Sequence, residues 1–535
     1  MSMHNVKPAL PTDRAGLIRQ TQSNLPFDLV IIGGGATGLG TALEAATRGY
    51  RVALFEKYDF AKGTSSRSTK LVHGGVRYLA QGNVSLVKEA LHERSTVLQS
   101  APHLAQPLGF LMPCYKAWQI PFYWTGLRIY DTLAGRHSLG RTEVLNARKT
   151  LETMPNVLGS GLIGSVKYWD GQFDDARLAL AIARTAQQQG AALLNYCEVE
   201  SIEHLHDRVS GVSVRDTETG QTWRVKTSCV VNATGVWVDT LRQMDDQAAG
   251  RNPQKMVAPS QGVHVVVDRS FMESDHALIV PKTSDGRVLF AVPWLGKVIL
   301  GTTDTPRQET LTEPCALRAE LDFILKESAA HLQKAPSLQD IRSIWVGLRP
   351  LVKPQSGDSG NTKSISREHT IVSSKSGLVT VTGGKWTTYR VMSKDTVNHC
   401  IKHGVLNDKG TVSRTDTLRL IGAQSGRAVA RPLSETADLS VYGDERNQVT
   451  ALDGAEDFIA PGLSQAMVRF AVRHEYARTV EDVLARRNRL LFLDAAKAQE
   501  CAPIVAQILQ SENVPDPKLG DFLELCKQYK AIPEY

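Results

Sequence analysis

Three glycines near the start of the chain have the spacing of a phosphate-binding turn. Gly33, Gly35 and Gly38 form a G-x-G-x-x-G pattern, and Glu56 lies 23 residues after Gly33. In such a pattern the glycines permit a tight turn, a close approach of the backbone to a pyrophosphate, and close packing of a helix on its strand. An acid about 20 residues further on accepts hydrogen bonds from an adenosine ribose. The spacing therefore predicts a dinucleotide site.

The elements that must position this motif surround it in the required order. Residues 27–32 form an apolar run interrupted only by Asp28, small and apolar residues recur at helical spacing from Ala36 to Ala46, and a second apolar run ends at Glu56. This order is strand, glycine turn, helix, strand and acid. A fortuitous glycine-rich turn, the alternative, would need none of these neighbours.

A second motif favours FAD over a nicotinamide nucleotide. An apolar run at 230–232 leads into Ala233, Thr234 and Gly235, more than 190 residues after the first motif. FAD is long and is often wrapped by such a distant segment, and an acid after the second strand disfavours the 2′-phosphate of NADP. The hydroxyls of residues 64–66 would reach the ribityl chain or the pyrophosphate. A simple turn is their alternative.

The composition excludes several function classes. The 535 residues predict about three domains, or two larger ones. Lys and Arg number 62 against 55 Asp and Glu, without a long basic block, so we predict no nucleic-acid binding. The 7 cysteines are scattered and never form CxxC, so we expect no disulfide framework and no metal site. No apolar run of about 18 residues occurs, and we expect a cytosolic chain or one attached to a membrane from that side.

Patterning along the chain predicts an α/β fold, α+β overall, in which a Rossmann-like FAD-binding domain is joined by a β-rich substrate domain and a C-terminal helical domain. We predict an N-terminal extension over 1–26, interleaved FAD-binding and substrate domains over 27–402, a polar linker over 403–416 and the helical domain over 417–535. Beyond the linker the sequence shows no strand pattern. It predicts helices over 464–478 and 479–493, the second opened by a capping box of Thr479 and Asp482.

Residues 64–79, TSSRSTKLVHGGVRYL, closely resemble the signature of the aerobic FAD-dependent glycerol-3-phosphate dehydrogenases. The resemblance spans about residues 27–494, and its further motifs occur in the family's order at 173–178, 262–264, 301–305, 347–351, 383–390, 473–479 and 482–487. It implies oxidation of sn-glycerol 3-phosphate to dihydroxyacetone phosphate by hydride transfer to the flavin N5. Electrons would then pass to membrane quinone, on an enzyme attached peripherally to the cytoplasmic face of the inner membrane. A homodimer is possible.

The resemblance also implies which residues contact the cofactor. His73 is expected to be a structural residue of the flavin loop. The expected contacts are Gly33, Gly35, Thr37, Gly38, Glu56, Lys57, Thr64, Ser65, Ser66, Lys70, Leu71, His73, Gly74, Val199, Ala233, Thr234, Gly235, Gly384, Lys385 and Thr387.

A phosphate dianion needs fixed cations, and the planar fork of Arg binds two oxygens at once. Similarity to the family implies a substrate site that also includes a tyrosine and a histidine. Its expected members are Arg77, Tyr78, His264, Arg349, Arg367 and Lys385. For each cation the alternative is a surface salt bridge, and Arg367 could pair with Glu368.

His264, Arg349 and Lys385 are the expected catalytic residues. A neutral histidine suits removal of the substrate's hydroxyl proton near pH 7. The alternative for His264 is a core histidine bonded to a backbone carbonyl. Residues 261–263, Gln-Gly-Val, differ from the Lys and Ser of some bacterial relatives, which affects the local substrate contacts. Lys385 would also stabilise the negative charge of a reduced flavin.

Five aromatic residues fall within ten positions, at Tyr115, Trp118, Phe122, Tyr123 and Trp124, close to several cations. Such a segment suits a membrane interface. A buried cap under the substrate domain would use the same residues, and the family's peripheral attachment favours the membrane.

Three rival functions remain open at this point. An oxidase would use the same substrate but reduce oxygen to peroxide. An NADPH-dependent flavin hydroxylase shares the glycine motif but would lack the set of cations. A non-catalytic FAD-binding protein would need neither the cations nor the histidine.

Overall fold

The computed structural model describes residues 9–79, 82–248, 255–353, 369–426 and 431–535. Within them the strands are β1 (Leu29–Ile32), β2 (Val52–Phe55), β3 (Leu71–Val72), β4 (Ala105–Cys114), β5 (Glu143–Asn146), β6 (Gly164–Phe173), β7 (Ala192–Leu194), β8 (Cys197–Leu205), β9 (Arg208–Asp216), β10 (Thr222–Lys226), β11 (Val230–Asn232), β12 (Val257–Asp268), β13 (Ala277–Val280), β14 (Leu289–Trp294), β15 (Lys297–Gly301), β16 (Thr305–Pro306), β17 (Ser343–Val352), β18 (His369–Ser373), β19 (Val379–Gly383), β20 (Phe458–Ala460) and β21 (Leu463–Ser464). The α-helices are α1 (Arg14–Thr21), α2 (Ala36–Thr47), α3 (Val76–Leu79), α4 (Val84–Ser100), α5 (Gln119–Ala134), α6 (Ala147–Thr153), α7 (Asp175–Gln188), α8 (Val238–Ala248), α9 (Arg318–Ala329), α10 (Tyr389–Lys402), α11 (Arg446–Thr450), α12 (Gln465–His474), α13 (Leu490–Leu493), α14 (Ala495–Ser511) and α15 (Leu519–Lys530).

A six-stranded sheet contains the glycine motif at its centre. Its order is β18-β19-β11-β1-β2-β7, and all its neighbouring strands are parallel except the β18/β19 pair. Every residue of β1 and β2 is buried, as expected for parallel strands covered on both faces. Helix α2 packs against α7 and α10 on this sheet. This is the predicted Rossmann-like α/β domain.

A second, mostly antiparallel sheet of ten strands forms the β-rich region. Its main path is β16-β12-β15-β14-β13-β4-β6-β3, with β17 also paired to β12 and β5 to β6. The long strand β12 pairs with β17 over ten residue pairs and with β15 on its other side. A separate sheet of β10, β9 and β8 packs beside the six-stranded sheet.

Within the described residues the C-terminal region contains several helices and one short hairpin, β20 and β21, so the expectation of no strand there is wrong at this point. The capping box of Thr479 and Asp482 is present, because each residue's side chain accepts from the other's backbone N–H. The turn that follows, Asp482–Arg487, is π-helical and ends before Arg489, whose φ is 79°. Hydrogen bonds of Arg486 and Arg487 with the buried Asp59 stabilise this irregular turn, which interrupts the helix predicted to reach residue 493.

No helix in the described ranges is both long enough and apolar enough to span a bilayer.

Candidate active site

A cavity of about 1330 Å³ lies where the two large sheets meet. The loop after β2 and the loop after β19 form one wall, strands β12 and β17 form another, and α5 closes the far end. The described segments thus bring together motifs that are hundreds of residues apart in the sequence.

The floor of the cavity is a row of side chains across the ten-stranded sheet. His264 on β12 lies opposite Gly301 on β15, Gly301 opposite Phe290 on β14, and Phe290 opposite Ile279 on β13. Directly paired residues share one face of a sheet, so this row points into the same space. Beyond it Phe110 stacks on Tyr168, with ring centroids 5.2 Å apart. The cavity is therefore polar at the β12 end and apolar toward α5.

The glycine turn has the geometry that a pyrophosphate site requires. Gly33 has a φ of 109°, and a Cβ there would lie 2.7 Å from the carbonyl oxygen of Ala233. A Cβ on Gly38 would lie 1.9 Å from the carbonyl oxygen of Gly33. No side chain caps α2 at Gly35, and the Ala36 N–H donates to Ser65 Oγ at 2.9 Å. The start of α2, including Thr37, thus presents backbone N–H groups to an anion.

The acid of the motif is fixed by the backbone on both sides. Glu56 accepts hydrogen bonds from the Gly34 N–H at 2.7 Å and from the Tyr58 N–H at 2.8 Å, and burial raises the pKa of its carboxyl group. Thr234 donates its hydroxyl to Asn232 Oδ1 at the end of β11. Lys57 instead forms an ion pair with Glu198 at 2.8 Å. Glycine turn, helix N-terminus and acid together fit the adenosine diphosphate half of FAD.

Replacement of Glu56 by Gln is expected to weaken FAD binding about 10- to 100-fold, because hydrogen bonds to a charged acceptor contribute about 1.5–3 kcal/mol. The measurement is the dissociation constant of FAD from titration of the apoprotein, followed by flavin fluorescence. Glu200→Gln is the control, since Glu200 pairs with Arg215 at the surface. Equal affinities of wild type and Glu56→Gln would contradict the assignment of Glu56 to the ribose.

The other predicted cofactor residues divide into three groups. Those that line the cavity are Thr64, Leu71, His73, Gly384, Lys385 and Thr387. Those enclosed by protein are Ser66, Lys70, Gly74 and Val199. Gly235, which opens a 3₁₀ turn after β11, accepts a hydrogen bond from Thr382 at its carbonyl.

Lys70 does not face the cavity. Its ammonium group is fully buried and donates to the Ser66 carbonyl and to Asp175, both at 2.8 Å. Burial lowers the pKa of Lys70 to about 7. Lys70 therefore ties the loop after β2 to the start of α7.

Arg349 and Lys385 both line the polar end of the cavity. The Arg349 guanidinium lies 3.2 Å from Asp304 and donates to the Thr303 carbonyl at 3.1 Å. The backbone of Arg77 and Tyr78 lies in α3, but their side chains fall outside the described part of the structure. Arg367 also lies outside the described residues.

His264 lies at the same polar end but is almost enclosed, with 2% of its surface exposed. Its ring stacks on Trp345, with centroids 4.0 Å apart, and its Nε2 lies 2.9 Å from Thr69 Oγ1. Burial, and the nearby charges of Lys70 and Arg349, hold the pKa of His264 well below its ordinary value. The imidazole is therefore neutral at physiological pH, as a general base must be.

Arg67 and Thr69 are among the cavity residues that were missed from the sequence, although both lie within the 64–79 signature. Arg67 pairs with Glu313 at 2.5 Å, and Thr69 contacts His264. Their placement beside the polar residues of β12 and β17 depends on contacts across the fold, and the only available signal was their membership of the motif.

The aromatic segment forms α5 and the residues just before it. Trp118, Phe122 and Trp124 are 56%, 65% and 41% exposed, which does not fit a buried cap. Phe122, Tyr123 and Leu127 also line the apolar end of the cavity. The helix is thus both a wall of the cavity and an exposed apolar surface.

Two protein families and several proteins of known function are similar to this chain. Residues 28–390 match the family described as FAD dependent oxidoreductase, and residues 413–516 match the C-terminal domain of alpha-glycerophosphate oxidase. A mitochondrial glycerol-3-phosphate dehydrogenase from Homo sapiens is 41% identical over 97% of this chain and 75% of its own length. The corresponding protein of Schizosaccharomyces pombe is 37% identical over 94% of this chain and 87% of its own.

Two solved structures share the fold, one of them over nearly the whole chain. A glycerol-3-phosphate dehydrogenase from Bacillus halodurans, complexed with FAD, matches with a TM-score of 0.77 and 30% identity over 98% of both chains. An L-alpha-glycerophosphate oxidase from Mycoplasma pneumoniae, with FAD bound, shares the fold with a TM-score of 0.55 and 17% identity, over 72% of this chain and 96% of its own. FAD as the cofactor and the α/β fold class are thereby confirmed.

Proposed function

The chain belongs to the glycerol-3-phosphate dehydrogenase family of FAD-dependent oxidoreductases, and on this basis we propose that it oxidises sn-glycerol 3-phosphate to dihydroxyacetone phosphate and passes the electrons to a membrane quinone. The observation that carries the proposal is the shared polar end of one cavity. His264 and Arg349 line it from the ten-stranded sheet, and Lys385 lines it from the loop after β19 of the FAD-binding sheet.

The cations of this end would hold the phosphate. The planar guanidinium of Arg349, which contacts Asp304, Thr302 and Thr303 in this structure, has the paired N–H groups whose geometry suits phosphate oxygens. Arg77, Arg367 and Lys385 complete the proposed set, and Tyr78 lies beside Arg77. With the phosphate fixed, C2 of the substrate would lie between His264 and the loop of Gly384 and Lys385.

Bound FAD supplies the acceptor for the hydride that leaves C2. His264 is the base for the proton of the C2 hydroxyl, because its neutral imidazole lines the same cavity as Arg349. Burial and stacking on Trp345 keep the ring fixed and exclude water from its faces. Lys385 stabilises negative charge on the cofactor edge.

The apolar end supports quinone as the electron acceptor. Four steps separate β12 from β4 in the sheet, which at about 4.8 Å a step gives a floor of about 19 Å, and beyond His264 its side chains include Phe290, Ile279 and Phe110. It leads from His264 to the exposed face of α5 and suits a flat, apolar molecule with a hydrocarbon tail. An enzyme that passes electrons only to oxygen would need no such lining. The apolar end of the cavity therefore favours a dehydrogenase over the oxidase alternative.

Anaerobic addition of glycerol 3-phosphate tests the proposed reaction directly. We expect the flavin absorbance near 450 nm to bleach and to return on addition of a soluble quinone analogue much faster than in aerated buffer. Bleaching by NADPH would favour the hydroxylase, faster reoxidation by oxygen would favour the oxidase, and no bleaching at all would contradict an enzymatic role.

Attachment to a membrane through α5 is part of the same proposal. Replacement of Trp118, Phe122 and Trp124 together by Ser is expected to leave activity with a soluble dye nearly unchanged and to lower activity with quinone embedded in liposomes several-fold. The reason is that exposed aromatic residues contribute to membrane binding and little to the core. Cosedimentation with vesicles containing anionic lipid provides the binding measurement.

The matched control replaces three apolar residues that are exposed elsewhere, Leu205, Val412 and Phe458, by Ser. It should change neither activity. A large fall in melting temperature of the α5 variant would show that the aromatic residues support the core, and equal vesicle binding of all three proteins would contradict the membrane assignment. Attachment to the cytoplasmic face and a homodimer stay predictions.

A further inference from the structure

The hydroxyl group of Thr69 contacts the ring of His264 at the cavity wall. On the basis of the proposed function, we propose that Thr69 is a proton relay, which receives the C2 hydroxyl proton of the substrate and passes its own proton to His264 Nε2.

One nitrogen of His264 is closed to the substrate. Nδ1 is buried and makes no hydrogen bond with the residues that the structure describes. One face of the ring is covered by Trp345, and Gly301 lies so close that a Cβ there would be 2.7 Å from His264 Cδ2. Nε2 is therefore the nitrogen through which the imidazole can exchange a proton with the cavity.

The second nitrogen already has a partner. Thr69 Oγ1 lies 2.9 Å from Nε2, and Thr69 is half-buried at the cavity wall, whereas His264 is nearly enclosed. A neutral imidazole nitrogen without a proton has a single lone pair in the ring plane and accepts one good hydrogen bond. In the tautomer that carries its proton on Nδ1, Thr69 donates that bond, and a substrate hydroxyl then meets the Thr69 oxygen before it meets Nε2.

The proposed step conserves atoms and charge. The O–H bond of the substrate breaks and its proton moves to Thr69 Oγ1, while the Thr69 proton moves to Nε2 and gives an imidazolium. The C2–H bond breaks with its electron pair, and the hydride passes to the bound FAD. The substrate leaves as a ketone, and Thr69 ends the step as a hydroxyl group.

The loop that carries Thr69 is anchored on both sides of it. Asp175 accepts from the Ser68 N–H at 3.1 Å and from the Lys70 ammonium at 2.8 Å. Arg489, from the C-terminal region, donates to the Ser66 carbonyl at 2.8 Å and lies 3.2 Å from Asp175. Because buried charges hold its neighbours, the Thr69 hydroxyl keeps a fixed position relative to His264.

The test compares three single variants of the FAD-loaded enzyme. Thr69→Val removes the hydroxyl at nearly constant volume and is expected to slow anaerobic flavin reduction at saturating glycerol 3-phosphate about 100-fold. Thr69→Ser restores the hydroxyl and is expected to return the rate to within about tenfold of wild type. Thr150→Val is the matched control, since Thr150 is also buried and its hydroxyl lies 2.9 Å from that of Ser165.

A second measurement distinguishes a role of the Thr69 hydroxyl in proton transfer from a role in substrate binding. Calorimetry with 3-hydroxypropyl phosphate, which lacks the 2-hydroxyl, should give equal affinities for wild type and Thr69→Val. A Thr69→Val enzyme that reduces its flavin at the wild-type rate would overturn the relay, and so would a Ser variant as slow as the Val variant. Failure of wild type itself to be reduced by glycerol 3-phosphate would instead overturn the proposed function.

Discussion

Replacement of His264 by Asn is expected to lower the anaerobic rate of flavin reduction by glycerol 3-phosphate about 10²- to 10⁴-fold, the range found for loss of a positioned general base. Asparagine keeps a polar side chain of similar length but cannot take a proton. In wild type the rate should fall only at a pH well below 6.5, because burial, Lys70 and Arg349 lower the pKa of His264 and protonation abolishes the base. In the variant this decrease of the rate at low pH, the acid limb of the pH profile, should be absent.

Two other histidines make this prediction specific. His276 is half-buried and burial lowers its pKa as well, but it is not among the residues that line the cavity, so His276→Asn should leave the rate unchanged. His73 lines the same cavity as His264. A larger loss in His73→Asn than in His264→Asn, together with loss of the acid limb, would transfer the role of base to His73.

The FAD-binding half of the site could be predicted from the sequence because its determinants are local. The tight turn at Gly33, the start of α2 and the acid at Glu56 lie within one strand-helix-strand unit, and each is required by a short-range steric or electrostatic condition. The observed strands Leu29–Ile32 and Val52–Phe55 differ from the predicted runs only at their ends. The dinucleotide turn therefore followed from spacing, whereas FAD was indicated by the second motif at 233–235 and by the family resemblance.

The substrate half depends on long-range pairing, which a single sequence does not contain. His264 and Thr69 are 195 positions apart, and their contact exists because β12 passes beside the loop after β2. The apolar end of the cavity depends on the order of the strands in the sheet, β12, β15, β14, β13 and β4, which differs from their order along the chain. Resemblance to a family could predict that His264 and Arg349 belong to the site, but it could not predict that the side chain of His264 is buried.

The C-terminal region likewise has one feature that is determined locally and one that depends on a distant residue. The capping box at Thr479 was predicted because both partners lie three residues apart. The π-helical turn after it was not, because it is stabilised by Asp59, more than 400 residues earlier in the chain. Buried ion pairs with distant partners override the local preference for a regular helix.

Replacement of Arg349 by Ala is expected to raise the KM for glycerol 3-phosphate about 30- to 1000-fold, because a charge-assisted bidentate contact with phosphate contributes about 2–4 kcal/mol. Glycerol, which has no phosphate, should react equally slowly with both enzymes. Arg342→Ala is the control, since Arg342 lies just before β17 and pairs with Asp268. An equal loss for glycerol and glycerol 3-phosphate would show that Arg349 acts through the structure of the cavity.

The size of this effect depends on Asp304. Asp304 lies 3.2 Å from Arg349, so the Ala variant leaves a carboxylate at the cavity wall without that cation and next to the expected phosphate. Repulsion between the two anions then adds to the lost contact, which places Arg349→Ala toward the upper end of the range. The double variant Arg349→Ala/Asp304→Asn removes the repulsion and should recover part of the affinity for glycerol 3-phosphate. If the double variant binds no better than Arg349→Ala, Asp304 does not face the phosphate and the anion site lies elsewhere in the cavity.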